Sequence, residues 1–278
     1  SLALPLAVML RALDGTQARH LAGITVHRPT ELPELPLEFR AQLLLRHLSR
    51  CGVEATLEHG LMDDTCRVLY HHTSEPVSVD ILVTQPGSVQ DILHTVEKVL
   101  GQTTDLAVNV LIAHPPGLAT ELNDCLDQLA ALNSPRIQVI PTETAGFADS
   151  VNTLARHARA DYLLLLACGL APLDNEWLPA LLNHARRPDI GVTGGRVVGP
   201  DGTLTAGMVK FSGPGYRNTY GQGLAATYVG CGGELQLEQN CLAVSPAFAM
   251  VKRTHLETVG GLRDTSQTGT HAFSDLCL

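Results

Sequence analysis

The sequence has no run of basic residues longer than a pair; Arg186-Arg187 and Lys252-Arg253 are examples. Lys and Arg number 19 against 28 Asp and Glu, for a formal net charge of −9. Nucleic acid is thereby excluded as the main partner, because binding phosphates needs clustered Lys and Arg. A polybasic membrane patch is excluded on the same ground. No stretch approaches the roughly 20 consecutive apolar residues that cross a bilayer. Leu2 to Leu10 is apolar but short, without a basic leader or a usual cleavage site, and reads as a core element. The 7 cysteines form no Cys-x-x-Cys pair. An odd number of scattered thiols predicts a reduced, cytoplasmic protein rather than a disulfide framework. No Gly-x-Gly-x-x-Gly follows the first strand of the main domain, where the loop is Thr84-Gln85-Pro86-Gly87-Ser88. That argues against a nicotinamide-binding domain.

What is present is ordinary globular material, 45% hydrophobic and 17% charged over 278 residues. At that length roughly three quarters of the unfolded surface can be buried, so the core needs no staples. Residues 1–37 read as an N-terminal segment, with Pro29, Pro33 and Pro36 making an extended linker. Residues 38–75 read as a small helix-plus-hairpin module. Its helix carries Phe39, Leu43, Leu44 and Leu48 on one face and stops at Cys51-Gly52. Val53 to Glu58 and Arg67 to Tyr70 then form the hairpin.

From residue 76 strands and helices alternate. Strands are expected at Val77–Val83, Ala107–Ala113, Ile137–Ile140 and Tyr162–Leu166, with helices over Val89–Leu100, Leu118–Leu132, Asp149–Arg159 and Leu178–Ala185. Such alternation means a mostly parallel sheet with helices on both faces. The run Tyr162 to Leu166 does not alternate, as befits a central strand buried on both faces. Ligands bind beyond the carboxyl ends of such strands, so Ala167-Cys168-Gly169 is where chemistry is expected. Residues 211–240 read as a long glycine-rich loop, Leu242–Lys252 as one strand, and Thr254–Val259 as a short helix.

The order of pieces resembles the family 2 glycosyltransferases of GT-A fold over about residues 75–278. The carrying segments are Pro76 to Val83, Ala148 to Asn152, Asp161 to Leu166, Trp177-Leu178, Ile190 to Arg196, Gly199 to Leu204, Val244 to Arg253, Val259 to Leu262 and Asp275 to Leu278. Module 38–70 also resembles the segment preceding such a domain in multidomain polysaccharide-synthesis proteins. Residues 19–28 resemble the tail of an earlier glycosyltransferase domain. The expectation is a piece of a longer chain, ending within the domain that starts at residue 76.

The resemblance implies transfer of a sugar from a nucleotide diphosphate to an acceptor hydroxyl. It calls for an acid after the second strand, a carboxylate pair holding Mg2+ or Mn2+ at the central tip, and a carboxylate base near the acceptor. These positions fall on His114, on Ala167-Cys168-Gly169 and on Ala272-Phe273. All three lack the acid, so no cofactor is predicted. Thr84, Gln85, His114, Asn152 and Gly169 are candidate nucleotide contacts. Asp174 and Glu176 are weak substitutes for the metal ligands, although Asp174 reads better as a helix cap. Asp264 and His271, in the terminal loop, and Asp275 are weak substitutes for the base. The implied function is a family 2-like domain of a surface polysaccharide or O-antigen assembly protein, impaired or inactive in catalysis. The alternatives are an active, metal-independent transferase with a rebuilt site, and a non-catalytic module binding a glycan or a partner. The implied partners are a nucleotide-sugar or glycan and neighbouring glycosyltransferase domains of the same chain. Attachment to the inner face of the membrane would run through other parts of that chain.

Overall fold

The computed structural model describes residues 35–101, 106–211, 217–263 and 269–278. Most of the expected N-terminal segment, including its apolar stretch, and the candidate Asp264 lie outside the described residues. The chain divides into two compact units, residues 1–73 with 232–238, and residues 74–231 with 239–278.

In the first unit, helix α1 (Leu37–Arg50) ends in a Schellman turn. Val53 N donates to Leu48 O at 2.9 Å and Gly52 N to Ser49 O at 3.1 Å. Gly52 sits at φ 73°, a conformation that glycine adopts without penalty. The hairpin follows as β1 (Ala55–His59) and β2 (Cys66–Tyr70), antiparallel, with Ala55 opposite Tyr70. Residues 232–238 belong to this unit, and Arg67 Nε donates to Glu238 Oε1 at 3.0 Å.

The second unit is built on six strands. They are β3 (Ser78–Val83), β4 (Ala107–His114), β5 (Ile137–Pro141), β6 (Tyr162–Leu166), β7 (Val192–Gly194) and, later in the chain, β13 (Phe248–Lys252). Their order across the sheet is β5-β4-β3-β6-β13-β7. The first four are mutually parallel, and β13 runs antiparallel to both its neighbours. The direction of chain winding reverses beside β3, where β4 lies on one side and β6 on the other, which is the switch point at which such sheets bind ligands.

Helices α2 (Val89–Leu100), α3 (Thr120–Ala131) and α5 (Trp177–Ala185) bury Ile92, Val96, Leu122, Leu126, Leu178 and Leu182 with Val79, Ile81, Val110 and Leu164 of the sheet. On the other face, α4 (Phe147–His157) joins α6 (Arg253–Thr258) and α7 (Gly269–Cys277) over Leu82, Leu111, Leu163 and Leu165. The central strands β3, β4, β6 and β13 thus bury alternate residues in two separate cores, which explains the unbroken apolar run of β6. The short strands β8 (Val197–Val198) and β9 (Leu204–Ala206) form a ribbon. A small sheet has the order β11 (Arg217–Thr219), β10 (Met208–Phe211), β12 (Ala243–Val244).

Three expectations need adjustment. The glycine-rich stretch carries β11 and a 3-10 turn at Cys231–Gly233. Leu242–Lys252 is two strands in two sheets, separated at Ser245–Ala247, where Pro246 cannot donate to a ladder. His271 lies in a helix rather than in a loop.

The amino edge of the sheet is tied by polar bonds. Asp80 is 2% exposed; its carboxylate accepts from Asn109 Nδ2 at 2.9 Å and from the backbone N–H groups of Arg159 and Ala160 at 2.7 and 2.9 Å. Ser78 donates through both N and Oγ to Asp161 Oδ2. Arg253 Nε donates to Ala160 O at 2.9 Å.

Candidate active site

The carboxyl edge begins with the turn after β6. Ala167 N donates to Ala247 O, and Leu170 N closes on Ala167 O at 3.2 Å. This turn lies against α2. Thr95, 0% exposed, accepts from Gly169 N at 2.9 Å and donates to Leu170 O at 3.2 Å. One turn earlier in the helix, Asp91 forms a capping box with Ser88, whose Oγ donates to Asp91 Oδ2 at 2.7 Å and accepts from Asp91 N at 3.1 Å. The other oxygen of Asp91 faces Gly169. A Cβ placed on Gly169 would lie 3.0 Å from Asp91 Oδ1 and 3.3 Å from its Cγ. Gly169 itself is at φ 85°, where a side chain is strained.

Cys168 packs against the core shared with α2 and α3. Burial pushes its thiol up, a hydrogen bond with the Gly87 backbone opposes that, and the nearby Asp91 carboxylate adds to the rise. A thiol held protonated is a poor nucleophile and a poor metal ligand.

These residues do not fit a hard divalent cation. Ala167 and Gly169 offer no side-chain donor, and Cys168 offers a soft one. One oxygen of Asp91 is already occupied by Ser88. Among the described residues, no group of three or more His, Cys, Asp or Glu side chains could hold a metal ion.

The candidate nucleotide contacts separate. Strand alternation sends Thr84, two residues after Leu82, to the α4 face, and sends His114, two residues after Ile112, to the α2–α3 face. Thr84 is buried and Gln85 exposed. The His114 ring is bonded through Nε2 to Asn123 Oδ1 of α3 at 2.6 Å. Asn152 uses both ends of its amide on one residue: Nδ2 donates to Leu262 O and Oδ1 accepts from Leu262 N, each at 2.8 Å. Asp174 and Glu176 are exposed on the loop before α5. Asp174 Oδ1 accepts from Glu176 N at 2.8 Å, one residue short of the helix it was expected to cap.

The position expected to hold the base lies inside α7. Ala272 is 4% exposed and Phe273 0%, the ring packed in the core beneath α4. His271 is half-buried and Asp275 exposed on the same helix. Sequence reasoning missed Thr95 and Asp91. The only signal was Ser88-x-x-Asp91 before an apolar run, a capping-box pattern that marks a helix start rather than a site.

Comparison with known proteins agrees with the fold. A family model described as Glycosyl transferase family 2 matches residues 87–260. Uncharacterized protein y4gI of Sinorhizobium fredii (strain NBRC 101917 / NGR234) is 25% identical over 240 residues, covering 84% of this chain and 26% of that protein. O-antigen biosynthesis protein RfbC of Myxococcus xanthus is 26% identical over 185 residues, covering 64% of this chain and 14% of that protein. The chain therefore spans about a quarter or less of the length of these curated relatives. Among solved structures, mannosyltransferase PcManGT from Pyrobaculum calidifontis in complex with GDP-Man and Mn2+ superposes with a TM-score of 0.51 at 13% identity, covering 98% of this chain and 61% of that one. GalNAc-T7 with UDP, GalNAc and Mn2+ does so with a TM-score of 0.55 at 14% identity, covering 75% of this chain and 42% of that one. With a family model over more than half its length and the sheet of the GT-A enzymes, the chain belongs to glycosyltransferase family 2.

Proposed function

We propose that this is a family 2 glycosyltransferase domain of a surface-polysaccharide or O-antigen assembly protein in which sugar transfer is impaired or lost. One observation carries the reading. The turn after β6 offers no carboxylate of its own and is bonded to α2 through Thr95. The family's reaction needs positive charge there to neutralise a departing diphosphate. Phe273, buried at the place of the base, supports the same conclusion. Without a base to take the acceptor proton, about 10²–10⁴ of rate is forgone.

A nucleotide-sugar or glycan, if bound, would lie beyond the carboxyl ends of β3 and β6, where Gln85 is exposed beside the Gly169 turn. Neighbouring domains of a longer chain, in the cytoplasm, are its proposed partners. Asn152 has the structural role of holding the Gly261-Leu262 turn in this reading.

The test is a titration of UDP-, GDP- and dTDP-sugars with and without Mn2+, followed by heat of binding and by melting temperature, alongside a transfer assay. The proposal expects weak binding at best, no strengthening by Mn2+, and no turnover. Micromolar, Mn2+-strengthened binding with turnover would sink it. Metal-independent turnover lost on substituting Asp174, Glu176, Asp264 or His271 would install the rebuilt-site reading instead.

A further inference from the structure

We infer that the turn after β6 has become a clasp onto α2, and that Thr95 and Asp91 keep the family's cation seat closed independently of the missing acids. The inference rests on reading residues 167–169 as that seat. Three observations converge on it.

Thr95 spends its whole hydroxyl on the turn, accepting from Gly169 N at 2.9 Å and donating to Leu170 O at 3.2 Å. Two consecutive residues of the turn are therefore held by a side chain that is 0% exposed. Asp91 stands at the Gly169 Cα, its Oδ1 3.0 Å from where a Cβ would begin. It cannot swing aside cheaply, because Ser88 N and Oγ hold its Oδ2 at 3.2 and 2.7 Å. A Cβ on Gly87 would also meet Asp91 Oδ2 at 3.1 Å, so glycines flank the carboxylate on two sides. The backbone of Gly169, at φ 85°, suits no side chain well.

The consequence is chemical. An aspartate restored at 169 would start 3.0 Å from a carboxylate oxygen whose partner oxygen is held by Ser88, in a strained backbone, so crowding and strain turn its side chain away from the place where a cation should sit. The seat has been rebuilt around a carboxylate borne by the helix, and back-mutation of the strand tip alone does not reopen it. Whatever binds this cleft binds without a divalent cation.

The test uses Mn2+ alone, read by electron paramagnetic resonance of the free ion and by melting temperature on the full 278-residue chain. Wild type and Ala167→Asp/Gly169→Asp are expected to leave millimolar-range Mn2+ unbound, the variant melting lower. Adding Asp91→Ala and Thr95→Ala to that variant is expected to tighten Mn2+ binding at least tenfold. The clasp is overturned if Ala167→Asp/Gly169→Asp alone binds as tightly as the fourfold variant, if the fourfold variant folds without gaining Mn2+ affinity, or if wild type binds Mn2+ and Asp91→Asn abolishes it. Should the fourfold variant not fold, amide exchange decides. In Thr95→Val, the Gly169 amide is expected to exchange at least tenfold faster than in wild type, and unchanged protection overturns the inference. Turnover by wild type without metal would refute the impaired-transfer reading and leave the clasp standing, so the two fail separately.

Discussion

Replacing Asn152 with alanine separates a structural amide from a ligand contact. In the structure the side chain acts as a peptide group, giving and taking one hydrogen bond with the Leu262 backbone at 2.8 Å each. Each neutral bond is worth about 0.5–1.5 kcal/mol net, and an unpaired backbone group left behind costs about 1–3 kcal/mol. Leu262 is 5% exposed, so water cannot readily replace the lost partners. Gly261 beside it is at φ 86°, and a Cβ there would lie 2.4 Å from Asn152 Oδ1, a sign of how closely the turn is drawn onto the helix. Together these give a loss of about 2–4 kcal/mol, which for a domain of this size lowers the melting temperature by roughly 5–15 °C. Thermal unfolding followed by circular dichroism measures it, with a nucleotide-sugar titration run in parallel below the transition. An unchanged melting temperature together with abolished nucleotide affinity would refute the clamp and make Asn152 a binding residue.

Other outcomes follow from the same geometry. Phe273→Asp, which restores a carboxylate near the expected base, should unfold the domain rather than revive it, because it buries a charge where the ring is 0% exposed; a soluble, folded variant with gained turnover would contradict this. Asp80→Ala leaves the N–H donors of Asn109, Arg159 and Ala160 without their acceptor and should lower stability in urea unfolding, by about 1–3 kcal/mol for each donor left buried and unpaired. Cys277 is pushed up to about 11, first by burial, against a hydrogen bond with the Val244 backbone and with the Cys241 thiol adding to the rise. Its unfolded thiol ionises near 9.0, so the stability linked to it is full below pH 9.0 and is lost as pH rises to about 11. Alkylation at pH 8 read by mass spectrometry should mark the exposed Cys51 and Cys231 well before Cys277.

The parallel strands were the most legible part of the chain, for a physical reason. Tyr162 to Leu166 is a continuous apolar run buried on both faces, and Ile81 to Val83 extends the same pattern beyond Asp80; such runs have few other uses. Legibility fell where short-range signals competed. The Leu242–Lys252 pattern looked continuous, but Leu242 is 65% exposed and Pro246 divides two sheets. α4 starts at Phe147, two residues before Asp149, because that aspartate turns back to accept from Thr144 N at 2.8 Å instead of opening the helix. The absence of acids at 167–169 was plain from the resemblance. What replaced them was not, since Thr95 lies 74 residues from Gly169 and only the folded sheet brings them together.

The polar ties along the amino edge also bear on how the chain emerges during synthesis. Ser78 and Asp161 are separated by 83 residues, and Asp80 and Ala160 by 80. Until β6 has been made, β3 keeps one edge unpaired, and its buried carboxylate still lacks the Arg159 and Ala160 donors. Long-range pairing of this kind is slow, and an uncovered apolar strand invites association with other chains. Fragments that stop short of Tyr162 should therefore aggregate, whereas those that include β6 give β3 its neighbour and Asp80 its donors. The ties that anchor the finished sheet thus delay its solubility until β6 has been translated.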